Sequence, residues 1–363
     1  MSDGFTEQDL IGTLLRGYRS VAPILGPGDD AGILAVPDGQ LVTTVDTITE
    51  DQDFRRIWPC GYRTRGYDVG WKSVAQNLSD INAMGARPTG IVTSLSLPAD
   101  IDLEWVESFA GGVSDSLEQL GAHGCAIVGG DVGRGREISV TTTAFGTLDG
   151  GEPMLRSGAK PGDVLAVCGP LGFAAAGLAV LEHPTDDPTA FSDDGFPDSW
   201  SASLRRAVMA QLRPRPRLGA GAEARAAGGH AMLDISDGLI QDAGRIAEAS
   251  NVIIQLDAAA CLAEAAQLEE PARLAAIQPS RWIFGGGEAF ALLTAFDAAS
   301  EMPQGWHQVG RVARGAPSVE VDGTLAAVWL ARISDSAPTG WDPFAARTGG
   351  TSSGRQPDPG AQR

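Results

Sequence analysis

Arg156-Ser157-Gly158-Ala159-Lys160-Pro161-Gly162-Asp163 is the stretch on which the architecture turns. It is polar, contains Gly158, Pro161 and Gly162, and follows a second turn-rich segment, Asp149-Gly150-Gly151-Glu152-Pro153. Gly, Pro and Asp supply backbone conformations that helices and strands reject. Regular patterning resumes at Val164–Cys168, an apolar run that reads as a strand. The domain boundary is placed here: an N-terminal domain over 1–150, a C-terminal α/β domain over 151–345 and a disordered tail over 346–363. A chain of 363 residues can bury a separate core in each half.

Upstream of the break, 31–36 and 41–46 are β-rich and flank Pro37-Asp38-Gly39-Gln40, which predicts a hairpin with Asp46 at the end of its second strand. Val69, Val74, Leu78 and Ile81 recur at helical spacing and predict a helix over 67–84, with Asp80 near its end and Gly85 as its stop. A strand over 90–97 and a helix over 103–120 follow. Strands over 125–128 and 138–148 then bracket a Gly129-Gly130-Asp131 turn. Downstream, a helix over 174–181 leads into an Asp-, Pro- and Ser-rich segment, 183–200, that reads as a mobile loop. Two helices around Pro214 come next, then a short strand at Met232-Leu233 and a helix over 238–249. Strands over 253–256, 290–294 and 306–312 complete the pattern. Strands alternate with helices in both halves, so the fold class is α/β, with mixed α+β sheets.

The formal net charge is −19, with no basic footprint, which argues against a nucleic-acid partner. No apolar run is long enough to span a bilayer, and Met1-Ser2-Asp3-Gly4 lacks a signal-peptide pattern, so a cytoplasmic location is expected. Cys60, Cys125, Cys168 and Cys261 form no CxxC, and Cys125 and Cys168 read as small core residues. His123, His183, His230 and His307 form no ligand-spaced pair.

The chemistry is carried by aspartates set in short Gly- or Ser-flanked contexts beside apolar stretches. They are Asp29 and Asp30 in Gly28-Asp29-Asp30-Ala31, Asp46 in Thr44-Val45-Asp46-Thr47, and Asp80 in Asn77-Leu78-Ser79-Asp80. The others are Asp131 after Gly129-Gly130, and Asp234 and Asp237 in Asp234-Ile235-Ser236-Asp237-Gly238-Leu239. Unpaired carboxylates at the edge of a core are costly, and hard cations remove that cost. Mg²⁺ also keeps phosphates as co-ligands, so the pattern points to metal-dependent phosphate chemistry; an acidic chain needs such cations to hold a polyanion. Each aspartate also has a plain structural reading: a Gly-Asp turn at 28–30, an Asx turn at Asp46, a helix-end polar group at Asp80. Ser236 or Asp237 can serve as an N-cap, with Asp242 on the surface. Gly26-Pro27-Gly28-Asp29-Asp30-Ala31 is not a dinucleotide fingerprint, because it precedes a strand and its two aspartates would repel a pyrophosphate. Gly70-Trp71-Lys72-Ser73 lacks the Gly-Lys junction of a P-loop. Arg156 and Lys160 are candidates for phosphate contact or members of a solvated linker. Trp341 can pack as core or stack on a flat heterocycle.

Taken in order with Ala83-Met84-Gly85-Ala86, Arg156–Asp163 and Gly286-Gly287-Glu288, these segments resemble the thiamine-monophosphate kinase family, from about Gly26 to Phe344. The resemblance implies the two-domain architecture of the aminoimidazole-ribonucleotide-synthetase-like superfamily, with the N-terminal domain pairing in a homodimer. It implies ATP-dependent phosphorylation of thiamine monophosphate to the diphosphate by direct in-line transfer, with several Mg²⁺ ions. Carried over by motif, Asp30, Thr44, Val45 (through its backbone oxygen), Asp46, Asp80, Asp131, Asp234 and Asp237 form the metal set, and Asp46 and Asp131 are the catalytic pair. Gly130, Asp131, Arg156 and Ser236 would touch ATP; Asp53, Glu288 and Trp341 would meet thiamine monophosphate. The family pattern Gly-Gly-Glu-Asp-Tyr-Glu departs here to Glu288-Ala289-Phe290-Ala291, two acidic residues short. Alternatives are another ATP-dependent synthetase of the superfamily, or a non-catalytic divalent-metal-binding module. The end at Gly360-Ala361-Gln362-Arg363 disfavours a hydrogenase-maturation factor with a terminal Cys. Cys60 as first cysteine disfavours a selenophosphate synthetase.

Overall fold

Two mixed sheets are laid down one after the other, and a single helix packs against elements of both. The computed structural model describes residues 7–24, 34–37, 39–184, 191 and 196–333. The expectations at Asp30 and Trp341, on most of the 183–200 segment and on the tail from 346 lie outside the described residues.

The first half comprises α1 (Glu7–Gly17), β1 (Val42–Thr49), α2 (Gly66–Ala83), β2 (Arg87–Leu97), α3 (Leu103–Gln119), β3 (Ala126–Arg134) and β4 (Ser139–Thr147). Its four strands run in the order β1-β4-β2-β3, with β2 and β3 parallel and the other pairs antiparallel. Burial alternates along β4: Val140, Thr142 and Ala144 are buried, while Ser139, Thr141 and Thr143 are half-buried, the period-two signature of a one-sided sheet. The buried face packs against α2, which lies close to α3 because three glycines omit a side chain at the crossing. A Cβ on Gly66, Gly70 or Gly112 would sit 2.1, 2.3 and 2.1 Å from the backbone oxygens of Trp105, Phe109 and Tyr67. The opposite face carries Thr43, Val45, Thr47, Ser94 and Asp131, all exposed, with Val45 58% accessible.

The second half comprises β5 (Val164–Cys168), α4 (Phe173–Leu181), α5 (Ala202–Leu212), α6 (Ala220–Ala226), β6 (Gly229–Ile235), α7 (Leu239–Ser250), β7 (Ile253–Leu256) and α8 (Ala258–Cys261). It continues through α9 (Glu269–Ala275), α10 (Pro279–Gly285), β8 (Ala291–Phe296), β9 (His307–Ala313), β10 (Ser318–Val321), β11 (Thr324–Leu325) and α11 (Ala326–Ile333). Its seven strands run β11-β10-β7-β9-β5-β8-β6, with only β7 and β10 parallel. All four cysteines are free and buried.

Helix α2 is the seam. Asn82 accepts the backbone N–H groups of Gly219 (3.1 Å) and Gly221 (2.9 Å) and donates to Arg217 O (3.1 Å). Trp71 Nε1 donates to Pro214 O (2.8 Å), and the buried Asp68 is paired with Arg213 at 2.6 Å.

Three expectations are corrected. The predicted hairpin does not form: the described residues 34–36 are not strand, and β1 instead pairs with β4 from Val42↔Gly146 to Thr49↔Ser139. Pairing with β4 keeps Ile48 on the buried side of the sheet, and that partner is about a hundred residues away in sequence. Asp46 therefore sits inside β1 rather than at its end. Gly129-Gly130-Asp131 is not a turn but part of β3, where a bulge opposite Ile91/Val92 shifts the register. Gly130 allows this pairing because a Cβ there would lie 2.4 Å from Thr93 O.

Candidate active site

Two cavities meet at a wall of carboxylates between the halves. One, of about 500 Å³, is lined by Thr44, Asp80, Arg156 and Asp234 among others. The second, of about 680 Å³, is lined by Asp46, Asp53, Asp234, Asp237, Ser236 and Glu288, and again by Asp80. Asp80 and Asp234 are common to both.

Local structure explains each placement. Thr44, Asp46 and Ile48 share the inward side of β1 by alternation, facing α2. Asp80, near the end of α2, accepts from Thr44 Oγ1 (2.6 Å). Asn77, one turn earlier, accepts from the Asp46 backbone N–H (3.1 Å) and so fixes β1 against the helix. Asp234, the penultimate residue of β6, is buried and accepts from Ser79 Oγ (2.7 Å), a bond that crosses from one half to the other. Asp237 follows in the turn before α7, where Arg245 holds it. Asp242 is fully buried rather than on the surface, and its Oδ2 accepts the N–H groups of Asp237 and Gly238 (3.0 and 3.1 Å). Neither Ser236 nor Asp237 is the N-cap of α7; that residue is Gly238, whose φ of 122° suits glycine.

The electrostatics are strained by design of the placement. Asp46 is pushed up to about 6, by burial first and then by the charge of Asp80. Asp234 is pushed up to about 7, by burial first and then also by Asp80. Burial lifts Asp80 too, with the Thr44 hydroxyl and the Arg156 charge holding it back. Three acidic groups thus crowd one wall with too little positive charge near them. Among the described residues, no three His, Cys, Asp or Glu side chains come close enough together to enclose a metal ion. A closed all-protein metal cage is thereby not what this wall offers. It fits a cation that takes one or two carboxylates and completes its shell with phosphate and water, the habit of Mg²⁺.

On the far side of the larger cavity, Asp53 and Glu288 are joined through one lysine. Lys72 Nζ lies 2.6 Å from Glu288 Oε1 and donates to Asp53 O at 3.0 Å, with its side chain only 4% exposed. Gln211 Nε2 donates to Glu288 Oε2 (2.5 Å), and Asp53 Oδ2 accepts from Thr49 N (2.7 Å). Burial raises Asp53, and the Thr49 N–H and Lys72 oppose the rise. Glu288 has φ 58°, held by its N–H on Ser236 O (2.7 Å), so the Gly-rich turn aims the carboxylate inward.

Asp46, Thr44, Asp80, Asp234, Asp237, Ser236, Arg156, Asp53 and Glu288 are brought together around the two cavities. Val45 turns its side chain to the exposed face, leaving only its main chain for a ligand. Asp131 and Gly130 are not brought to this wall. The register row Thr47–Thr141–Ser94–Asp131 puts Asp131 on the exposed face of the sheet, at the edge strand furthest from β1. Three strand spacings separate it from Thr47, about 14 Å. Lys160 lies away from both cavities and contacts His230 Nε2 (3.0 Å), which in turn meets Asp163.

Lys72, Gln76, Gln211 and Arg245 escaped the reading of the sequence. Lys72, Gln76 and Asp80 recur every four residues on α2, a polar stripe on an otherwise buried helix, and that spacing was the available signal. Gln211 and Arg245 lie on amphipathic helices and carry no such mark.

The family model described as AIR synthase related protein, N-terminal domain, matches residues 28–148, and its C-terminal counterpart matches 160–317. Thiamine-monophosphate kinase of Mycobacterium tuberculosis is 41% identical over 315 residues, covering 86% of this chain and 87% of that protein. The Escherichia coli K12 enzyme of the same name is 36% identical over 273 residues, 74% of this chain and 75% of its own length. The structure of AaThiL complexed with AMPPCP and TMP superposes with a TM-score of 0.68 at 27% identity, covering 92% of this chain and 94% of that one. The fold, the shared wall of carboxylates and these likenesses agree, and the chain belongs to the thiamine-monophosphate kinase family of AIR-synthase-related proteins.

Proposed function

We propose that the chain transfers the γ-phosphoryl group of ATP directly to the phosphate of thiamine monophosphate, giving thiamine diphosphate and ADP. The observation that carries this reading is the pair of cavities that share Asp80 and Asp234 as a common wall. Two phosphorylated ligands, one per cavity, would place their phosphates against the same carboxylates. The 500 Å³ cavity, with Arg156, takes ATP; the 680 Å³ cavity, with Asp53 and Glu288, takes thiamine monophosphate.

The acceptor oxygen belongs to a phosphate already ionised near neutral pH, so attack needs no strong general base. It forms the new P–O bond in line as the bond to the ADP oxygen breaks. The protein's task is to bring two polyanions together: two unit charges about 4 Å apart repel by about 4 kcal/mol at an effective dielectric of 20. Several Mg²⁺ ions, when bound, supply that neutralisation. Asp46, Asp80, Asp234 and Asp237 would hold them, with Thr44, the Val45 carbonyl, Asp30 and Asp131 completing the set. Asp46 and Asp131 are the members we place nearest the reacting phosphates, with Gly130, Asp131, Arg156 and Ser236 on the nucleotide. Asp53 and Glu288, with Trp341, orient the thiamine moiety. Lys72 and Gln211 fix the Glu288 carboxylate.

A homodimer belongs to the same proposal. Asp131 projects from the exposed sheet face, and among the described residues β1 and β3 are the edge strands of that sheet, where a second copy could add. A partner that covers this face supplies Asp131 to the wall it cannot reach at home. The roles of 1–150 as nucleotide and dimer half and of 151–345 as the closing half complete the proposal. Among the described residues no helix is long and apolar enough to cross a membrane, and we place the enzyme in the cytoplasm beside other biosynthetic enzymes. The test is direct. Purified chain with ATP, Mg²⁺ and thiamine monophosphate should form thiamine diphosphate and ADP in equal amounts. Metal binding without turnover would leave only a metal-binding module.

A further inference from the structure

The larger cavity has six acidic side chains in its lining, and among the described residues that line it Arg245 is the only cation. Arg245 lies on α7, and its guanidinium is forked between two aspartates. Nη1 meets Oδ1 of the fully buried Asp242, and Nη2 meets Oδ2 of the half-exposed Asp237. The two contacts differ in kind. Asp242 is anchored independently, because its other oxygen already takes the Asp237 and Gly238 N–H groups. Asp237 lines the cavity itself and also takes a longer bond from Gln241 Nε2 (3.3 Å). One arm of the guanidinium is therefore fixed in the protein, and the other points at the cavity wall. Arg156 lines the smaller cavity, so among the described residues each lining holds one arginine.

We infer that Arg245 binds the phosphate of the acceptor substrate in the 680 Å³ cavity, exchanging its contact with Asp237 for that phosphate while Asp242 keeps its side chain in place. This deepens the kinase reading above and rests on it. A planar guanidinium matches phosphate oxygens with paired N–H donors, which a lysine cannot reproduce. The exchange moves one guanidinium arm from one anion to another, so its N–H donors are never left unpaired. It also leaves Asp237 free for a cation at the moment phosphate enters. An acidic cavity would otherwise prefer the unphosphorylated vitamin, whose thiazolium is cationic, over its phosphate ester.

The experiment compares two ligands. Thiamine monophosphate and thiamine are titrated calorimetrically into the full chain with Mg²⁺ and no nucleotide. The wild type should favour the phosphate ester. Arg245→Gln, which retains a hydrogen-bond donor for Asp242, should weaken thiamine monophosphate at least tenfold while thiamine affinity stays unchanged. Arg245→Lys keeps the charge without the fork and should fall between them; it carries the test if the Gln variant does not fold. An unchanged preference in the variants, an equal loss for both ligands, or a wild type that binds both equally would overturn the role of Arg245 and leave the kinase assay standing. A wild type that binds neither ligand would also overturn this inference, while the kinase reading stands or falls on thiamine diphosphate formation with ATP.

Discussion

Asp234→Asn should make the metal-free protein more stable while abolishing its turnover. Asp234 is 7% exposed, and burial with the neighbouring charge of Asp80 moves it from 3.8 to about 7. At about 1.36 kcal/mol per unit, keeping it ionised in the folded state costs about 4 kcal/mol, of which about 2–4 kcal/mol should be measurable once Asp80 shares the titration. Asparagine is the same shape, has no charge, and its carbonyl still accepts from Ser79 Oγ. The sign follows from the raised value. Below about pH 4 the aspartate is protonated in both folded and unfolded chains, and the substitution is neutral. As pH rises from about 4 to about 7 the unfolded chain gives up this proton while the folded wild type keeps it, so the wild type loses stability across that window and levels off above about 7, whereas the variant does not. Chemical denaturation with chelator at pH 8, 6 and 4 should therefore show an advantage for Asp234→Asn that is largest at pH 8 and vanishes at pH 4. A variant no more stable than wild type at pH 8, or an advantage that does not depend on pH, would refute the electrostatic account of the wall.

Further outcomes follow from other contacts. Lys72→Met removes the ammonium that holds Glu288, a charge-assisted contact of about 1.5–3 kcal/mol, and should raise KM for thiamine monophosphate about 10- to 100-fold with KM for ATP unchanged in steady-state assays. Two inactive variants, Asp131→Asn and Asp80→Asn, should regain roughly a quarter of wild-type activity when co-expressed, because half of randomly paired dimers would hold one intact site. Absence of recovery would place Asp131 outside the partner's site. Gly221→Ala would put a Cβ 1.7 Å from Asn82 O and should destabilise the seam by about 3 kcal/mol in equilibrium unfolding, with activity falling alongside. Because protons compete for Asp46 and Asp234, Mg²⁺ affinity measured by calorimetry should drop as pH falls from 8 to below 6.

What could be read from the chain was whatever depends on near neighbours. The Val69, Val74, Leu78 and Ile81 spacing located α2, and Gly85, with φ 70°, ends the chain's turn out of that helix. The aspartates of β1, α2 and β6 were recognisable because short motifs carried them, and Asp46, Asp80, Asp234 and Asp237 do line common space. Strand partnership was not readable in this way. The β-rich segment before Pro37 looked like the natural mate of β1, yet β4 takes that place. Nor was the direction of Asp131, which depends on a bulge in β3 and on counting register across four strands. Gly70-Trp71-Lys72-Ser73 shows locally only that a P-loop is absent, and it names no partner for Lys72. Its burial against Glu288, more than two hundred residues later, needs the tertiary structure to be seen.

Helix α2 concentrates obligations. One face is zipped to α3 through glycines; another carries Lys72 to the acceptor side, Asp80 to the wall between cavities and Asn82 to the seam. Nearly any exchange along it would disturb catalysis, docking and stability at once. Directed evolution toward a bulkier or differently charged vitamin analogue should therefore leave this rod alone and diversify the opposite bank, around Ala175 and Leu178, half-buried side chains of α4 that border the cavity.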